Sequence, residues 1–140
     1  LCGFTGEFLT DPQGPPPDGE VLAAMGKLLV HRGPDGGGQV VEDWYGLHHR
    51  RLAVIDLVTG DQPMVSASGG LVTAFNGEIY NFRELRKVLE DRGHTFRTRA
   101  DTEVLLHGYQ EWGLDLPSRL RGMFAFALVD RGRRRLLLAR

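Results

Sequence analysis

The chain has 140 residues, with 17 Lys and Arg against 18 Asp and Glu, a formal net charge of -1, and 41% hydrophobic residues. This composition suits one folded domain and excludes a disordered chain or a globally basic nucleic-acid binder. No apolar run approaches the ~18 residues of a bilayer span, no secretory leader is expected at the start, and the single cysteine, Cys2, points to a reducing cytoplasm.

Cys2 to Leu9 alternates apolar with small or polar residues, which predicts a strand with one buried face. Asp11 to Gly19, with four prolines, is a loop. Asp18 then caps a helix whose Val21, Leu22, Met25, Leu28 and Leu29 share one face, and His31-Arg32-Gly33-Pro34 ends it. The following glycines, Gly36 to Gly38, read as a loop, without the Lys-Ser/Thr ending of a phosphate-binding loop. Gln39–Val41, Tyr45–Asp56 and Leu71–Phe75 read as strands. Asn81 is the expected cap of a second helix, with Glu84 at the capping-box position, Phe82, Leu85, Val88 and Leu89 as its stripe, and Gly93 as its stop. A third helix is expected from about Thr102 to Trp112, capped by Asp101, with Val104, Leu105 and Tyr109 inward. Met123–Asp130 and Arg135–Ala139 form a hairpin around Arg131-Gly132. An apolar strand pattern at the very end suggests that the chain is a fragment of a longer polypeptide.

Several residues carry more than one reading. Cys2 is an incidental apolar residue or, were it terminal, a nucleophile whose own α-amine is the base. Asn76-Gly77-Glu78, directly after a strand, is a tight turn or a two-donor oxyanion hole made by the Asn76 amide and the Gly77 N–H. Arg50 and Arg51 point to opposite faces of a strand, so one of them is a surface cation or a bidentate carboxylate clamp. Asp101 is a helix cap or an acceptor for a substrate ammonium. His48 and His49 diverge in a strand and have no ligand spacing around them, which disfavours a metal. Arg131, Arg133, Arg134 and Arg135 read as solvated turn charges, without the aromatic platform of a nucleic-acid site.

The order of these signals is more specific than any one of them. Cys2-Gly3, His31-Arg32-Gly33-Pro34-Asp35, His49 to Asp56, Gln62-Pro63-Met64, Asn76 to Asn81, Asp101-Thr102-Glu103-Val104 and Gly122 to Ala127 resemble the glutaminase domain of glutamine-hydrolysing asparagine synthases, over essentially the whole chain. Pro34-Asp35 and Glu78 to Asn81 favour that branch over phosphoribosyl and hexosamine-phosphate amidotransferases. The resemblance implies a class II glutamine amidotransferase domain over residues 1–140. Its fold would be α+β, a four-layer α-β-β-α sandwich of the N-terminal-nucleophile hydrolase type with two antiparallel sheets.

It also implies roles. Cys2 would be the nucleophile, and Asn76 and Gly77 would hold the oxyanion. Arg51 would bind the glutamine α-carboxylate, Glu78 and Asp101 its α-ammonium, and Val54 and Ile55 would line the site through their backbone. The implied partners are glutamine and the protein's own C-terminal synthetase domain, with a homodimer left open and neither nucleic acid nor membrane. No cofactor is implied for this domain; ATP and magnesium belong to the absent synthetase domain, which amidates aspartate or, in asparagine synthase-like enzymes, a peptide, a cell-wall precursor or a small metabolite. The sequence departs from the family at Leu1, where an initiator Met is expected. Leu1 is read as an alternative start codon translated literally; if it is retained, a non-catalytic homologue is the rival reading.

Overall fold

The computed structural model describes residues 2–52 and 60–140. Leu1 and residues 53–59 lie outside the described residues, and with them the strand expected beyond Leu52 and the site residues Val54 and Ile55.

Two antiparallel sheets are stacked face to face. The first has the order β1 (Gly3–Phe8), β3 (Tyr45–Arg51), β2 (Gly36–Val41), so the third strand in sequence sits in the middle. The second runs β4 (Met64–Val65), β5 (Leu71–Ile79), β6 (Gly122–Asp130), β7 (Arg135–Ala139). Helix α1 (Gly19–Lys27) packs on the first sheet, and α3 (Glu103–Trp112) packs on the second with α2 (Phe82–Asp91) against it. A 3-10 turn at Gly113–Asp115 and the short α4 (Leu116–Arg119) return the chain to β6. The result is the expected four-layer α-β-β-α sandwich. No described helix is long and apolar enough to cross a membrane.

Period-2 alternation in β5 explains why both of its faces are apolar. Val72 and Ala74 meet Tyr45, Leu47, Ala127 and Val129 between the sheets. Leu71 and Phe75 face the other way, toward Leu105, Leu106 and Tyr109 of α3. Each fully buried Leu or Val of these two layers contributes roughly 1.5–3 kcal/mol of burial free energy.

Several expectations from sequence need correction, among them Val88 of α2, which is exposed. In α1 the inward positions are Leu22 and Gly26, while Val21, Met25 and Leu28 are exposed. The helix is rotated because the His48 ring occupies the space over Gly26, where a Cβ would lie 2.0 Å from His48 Nε2. Gly36 to Gly38 are strand residues, and a Cβ on Gly38 would meet the Gln62 carbonyl oxygen at 2.3 Å, so this stretch is small because another backbone crosses it. Strand β5 continues four residues past Phe75 to Ile79, which makes Asn76-Gly77 part of a ladder with Ala125 and Phe124 instead of a turn. Asn81 makes no side-chain cap; its amide donates to the Arg119 carbonyl and accepts from Arg121 N–H, tying α2 to the α4–β6 link. Arg131 is no solvated turn charge: it donates to Tyr45 Oη at 2.8 Å and to the Gly69 carbonyl at 2.6 Å, and it pairs with Glu42, joining the two sheets.

Other expectations hold. Asp18 Oδ1 accepts from the N–H groups of Glu20 and Val21, as a helix cap should. Gly93, at φ 94°, ends α2, with its N–H on the Glu90 carbonyl. Val104, Leu105 and Tyr109 are buried.

Candidate active site

The cleft forms where β5 outgrows its neighbour. β4 pairs with Thr73 and Val72, and among the described residues no strand pairs with the β5 edge beyond them. Buried backbone groups need partners, and side chains supply them. Gln62 Oε1 accepts the Phe75 N–H at 2.6 Å, and His49 Nε2 donates to the Phe75 carbonyl at 2.9 Å across the gap between the sheets. Two pleats further on, Asp101 Oδ2 accepts the Ile79 N–H at 2.9 Å. The same alternation aims the Gly77 N–H at this edge, between those two, and Gly77 lines the cleft. Only glycine fits here: φ is 145°, and a Cβ would sit 2.1 Å from the Met123 carbonyl oxygen.

Opposite this edge lies the start of β1. Leu52 N–H donates to Cys2 Sγ at 3.3 Å, and the thiol also reaches the Leu52 carbonyl at 3.5 Å. Arg32 Nε donates to the Cys2 carbonyl at 3.3 Å, and Arg50 Nε holds the Gly33 carbonyl at 3.0 Å. Arg32 and Gly33 thus fix the backbone that carries the thiol, while α1 ends earlier than expected, at Lys27 with Leu28 as its C-cap and not at His31-Arg32-Gly33-Pro34. Gly33 has no room for a Cβ, which would meet the Arg50 carbonyl carbon at 2.4 Å.

Cys2, Arg51, Gly77, Glu78 and Asp101 all line one open cleft, together with Gln62 and Thr102. Arg50 and Arg51 diverge as expected of strand neighbours, and Arg51 is the one that faces the cleft. Its guanidinium pairs with Asp61 at 2.7 Å; the Arg51 side chain is 11% exposed and that of Asp61 87%. Asn76 is not in the cleft lining. It shares the inter-sheet face of β5 with Val72 and Ala74, and its Oδ1 is buried with no hydrogen-bond partner among the described residues. Asp101 was expected as a cap, but its carboxylate turns to β5, and α3 begins without a side-chain cap.

The electrostatics divide the cleft by sign. Burial pushes the Asp101 carboxyl up and the Glu78 charge adds to this, against N–H groups of Ile79 and Thr102 that hold it down. Two carboxylates in this arrangement favour an arriving cation. At the other end Arg51 favours an anion. His49, fully buried, is lowered to about 4, chiefly by desolvation and further by the Arg51 and His48 charges, despite its bond to the Phe75 carbonyl. It is therefore a neutral spacer, with its proton on Nε2 because a carbonyl can only accept.

Gln62 and Thr102 were not among the residues expected in the site. Gln62 Nε2 donates to Thr102 Oγ1 at 3.4 Å while its Oε1 holds Phe75, so one side chain links both flanks of the cleft. The visible signal was their presence in the shared segments Gln62-Pro63-Met64 and Asp101-Thr102-Glu103.

A cleft with a thiol just ahead of the edge strand β1, an arginine at one side and paired carboxylates at the other, beside two helix-covered antiparallel sheets, fits the amidotransferase class. The structure of glutamine phosphoribosylpyrophosphate amidotransferase from B. subtilis has the same fold, with a TM-score of 0.72 over 94% of this chain and 35% of that one, at 24% sequence identity. A family model described as the glutamine amidotransferase domain matches residues 1–140, and the chain belongs to that family. It is 42% identical over 132 residues to an asparagine synthetase [glutamine-hydrolyzing] of Bacillus subtilis (strain 168), which covers 94% of this chain and 21% of the relative. It is 46% identical over 106 residues to one from Arabidopsis thaliana, covering 76% of this chain and 18% of that protein. The chain thus spans about a fifth of the length of these relatives.

Proposed function

We propose that this domain hydrolyses L-glutamine to glutamate and ammonia, and that a linked synthetase domain uses the ammonia, with ATP and magnesium, to amidate aspartate. The observation that carries the hydrolysis is the joining, in one cleft, of Cys2 with groups of opposite sign on either side. The synthetase step is supported by the names and greater length of the relatives.

In this reading Arg51 takes the α-carboxylate of glutamine, and Glu78 with Asp101 takes its α-ammonium. Two charges clamped this way fix the side-chain amide and reject molecules that lack either one. The Cys2 sulfur, delivered by Leu52 and the Arg32-held backbone, attacks the amide carbon. A C–S bond forms and the carbonyl electrons move to oxygen, where the Gly77 N–H and the Asn76 amide stabilise the charge. The Asn76 amide has to turn from its present position between the sheets, where its oxygen has no hydrogen-bond partner among the described residues. The α-amine of Cys2 passes the thiol's proton to the leaving nitrogen, the C–N bond breaks, and ammonia departs from a γ-glutamyl thioester. Water then cleaves the thioester, giving glutamate and the thiol. A free Cys2 amine is required, so Leu1 has to be absent from the working enzyme.

The test is glutamate release from L-glutamine by the natural full-length protein, with the N-terminal mass measured on the same sample. Turnover is expected with Cys2 exposed, and Cys2→Ala should lower it by about 10⁴-fold or more. A protein with Cys2 exposed that releases no glutamate overturns the proposal.

A further inference from the structure

Asp101 follows a stretch with no regular secondary structure, residues 94–100; its own carbonyl is held by the Val104 N–H of α3 at 3.1 Å, but no ladder or helix fixes the segment ahead of it. What fixes that segment is a buried charge. Glu103, the first residue of α3, is 1% exposed. Its Oε1 accepts the Arg97 N–H at 2.8 Å, and its Oε2 accepts both the Thr98 N–H at 2.7 Å and the Thr98 hydroxyl at 2.6 Å. His107, one turn along α3, donates Nε2–H to Oε1 at 3.3 Å. Thr98 Oγ1 in turn accepts the Ala100 N–H at 3.2 Å, and Arg86 of α2 holds the Thr98 carbonyl at 2.8 Å. Three backbone N–H groups just ahead of Asp101 are therefore satisfied by Glu103 or through Thr98, which Glu103 holds.

An ionised carboxylate in such a place costs desolvation, and it persists only when all its acceptor sites are filled. That condition is met. Burial alone would push the Glu103 carboxyl up, yet the bonds from Thr98, Arg97 and His107 outweigh it and leave it below the usual carboxylate range. Among the described residues Glu103 neither lines the cleft nor contacts Cys2, and its carboxylate acts on the site through the 97–101 segment that it holds.

We propose that Glu103 is the positioning residue for ammonium recognition: by gathering the Arg97, Thr98 and Ala100 N–H groups it fixes Asp101 at the angle where its carboxylate can bond Ile79 N–H and still face a substrate cation. The inference deepens the glutamine reading and rests on it. A glutamine side chain at position 103 has one accepting atom where the carboxylate has two, so it loosens the segment without emptying the space.

The experiment compares L-glutamine with 4-carbamoylbutanoate, which has the same amide and carboxylate but no α-ammonium, as substrates of the natural full-length protein. Glu103→Gln is expected to raise KM for glutamine about tenfold with kcat within about twofold, and to leave kcat/KM for 4-carbamoylbutanoate unchanged. The preference for glutamine over the deaminated substrate then falls about tenfold. Thr98→Val, which removes only the hydroxyl between Glu103 and Ala100, should lower it about threefold and carries the test if Glu103→Gln does not fold. Equal losses on both substrates, or an unchanged preference in a folded variant, overturn the inference while glutamine turnover by the unaltered protein stands. No turnover by the unaltered protein overturns both readings.

Discussion

The two halves of β5 belong to one strand and do different work. From Leu71 to Phe75 the strand lies against β6 and, at Val72 and Thr73, against β4, with its side chains buried on both faces. From Asn76 to Ile79 β6 is the one strand alongside among the described residues, and the other edge is completed by Asp101 or directed into the cleft. The lower half makes the fold and the upper half makes the site. A sheet acquires reactive backbone donors where its ladder is left unfinished, because a paired N–H has nothing to offer a substrate.

Substitutions should therefore separate stability from turnover along this one strand. The largest effect is expected at Asn76→Ala in the upper half. Losing one oxyanion donor should lower kcat for glutamine by about 10²–10³-fold. The melting temperature should hold or rise, since a buried oxygen with no partner among the described residues goes with it. A variant that melts well below the unaltered protein, with turnover preserved, would reverse the comparison.

Next in size is a pH effect at the boundary between the halves. His49 is held at about 4 against the ordinary 6.5, so between those values the unfolded chain binds a proton that the fold refuses. Stability is complete above about 6.5 and falls as pH drops toward 4, by about 3 kcal/mol in all. The check is the ring titration of His49 followed by NMR, whose signals should stay those of a neutral Nε2–H imidazole at pH 5. An imidazolium already formed at pH 6 contradicts the buried cross-sheet bond.

The smallest effect is expected at Val72→Ala in the lower half. Removing two methyls from a fully buried position should cost about 2 kcal/mol. kcat and KM of the folded protein should stay within about twofold. A variant equally stable but with altered KM would show that the lower half also shapes the site.

How much of this was readable in advance follows the range of each signal. Helix stops and caps written within a few residues, such as Asp18 and Gly93, could be read, as could the inward positions of α3 and the hairpin of β6 and β7. What failed depended on distant chain. Nothing local says that β6 continues alongside Asn76-Gly77, that His48 fills the space over Gly26, or that Tyr45 and Glu42 await Arg131. The site shows the same limit. Opposite facing of Arg50 and Arg51 comes from the strand pleat, and the cleft positions of Cys2, Gly77, Glu78 and Asp101 came from the order of the shared segments. Asn76, expected beside them, lies on the inter-sheet face. Gln62 and Glu103 act through backbone groups of other segments, and a side chain's backbone partner leaves no periodic mark in sequence. Val54 and Ile55 fall outside the described residues.

The pairing of Arg51 with Asp61 bears on how a ligand would enter. One partner is almost sheltered and the other stands in water. In the proposed reading a substrate carboxylate would compete with Asp61 for the guanidinium, and the exposed Asp61 side chain is rehydrated at little cost when displaced. Such an exchange keeps the guanidinium oriented while the cleft waits.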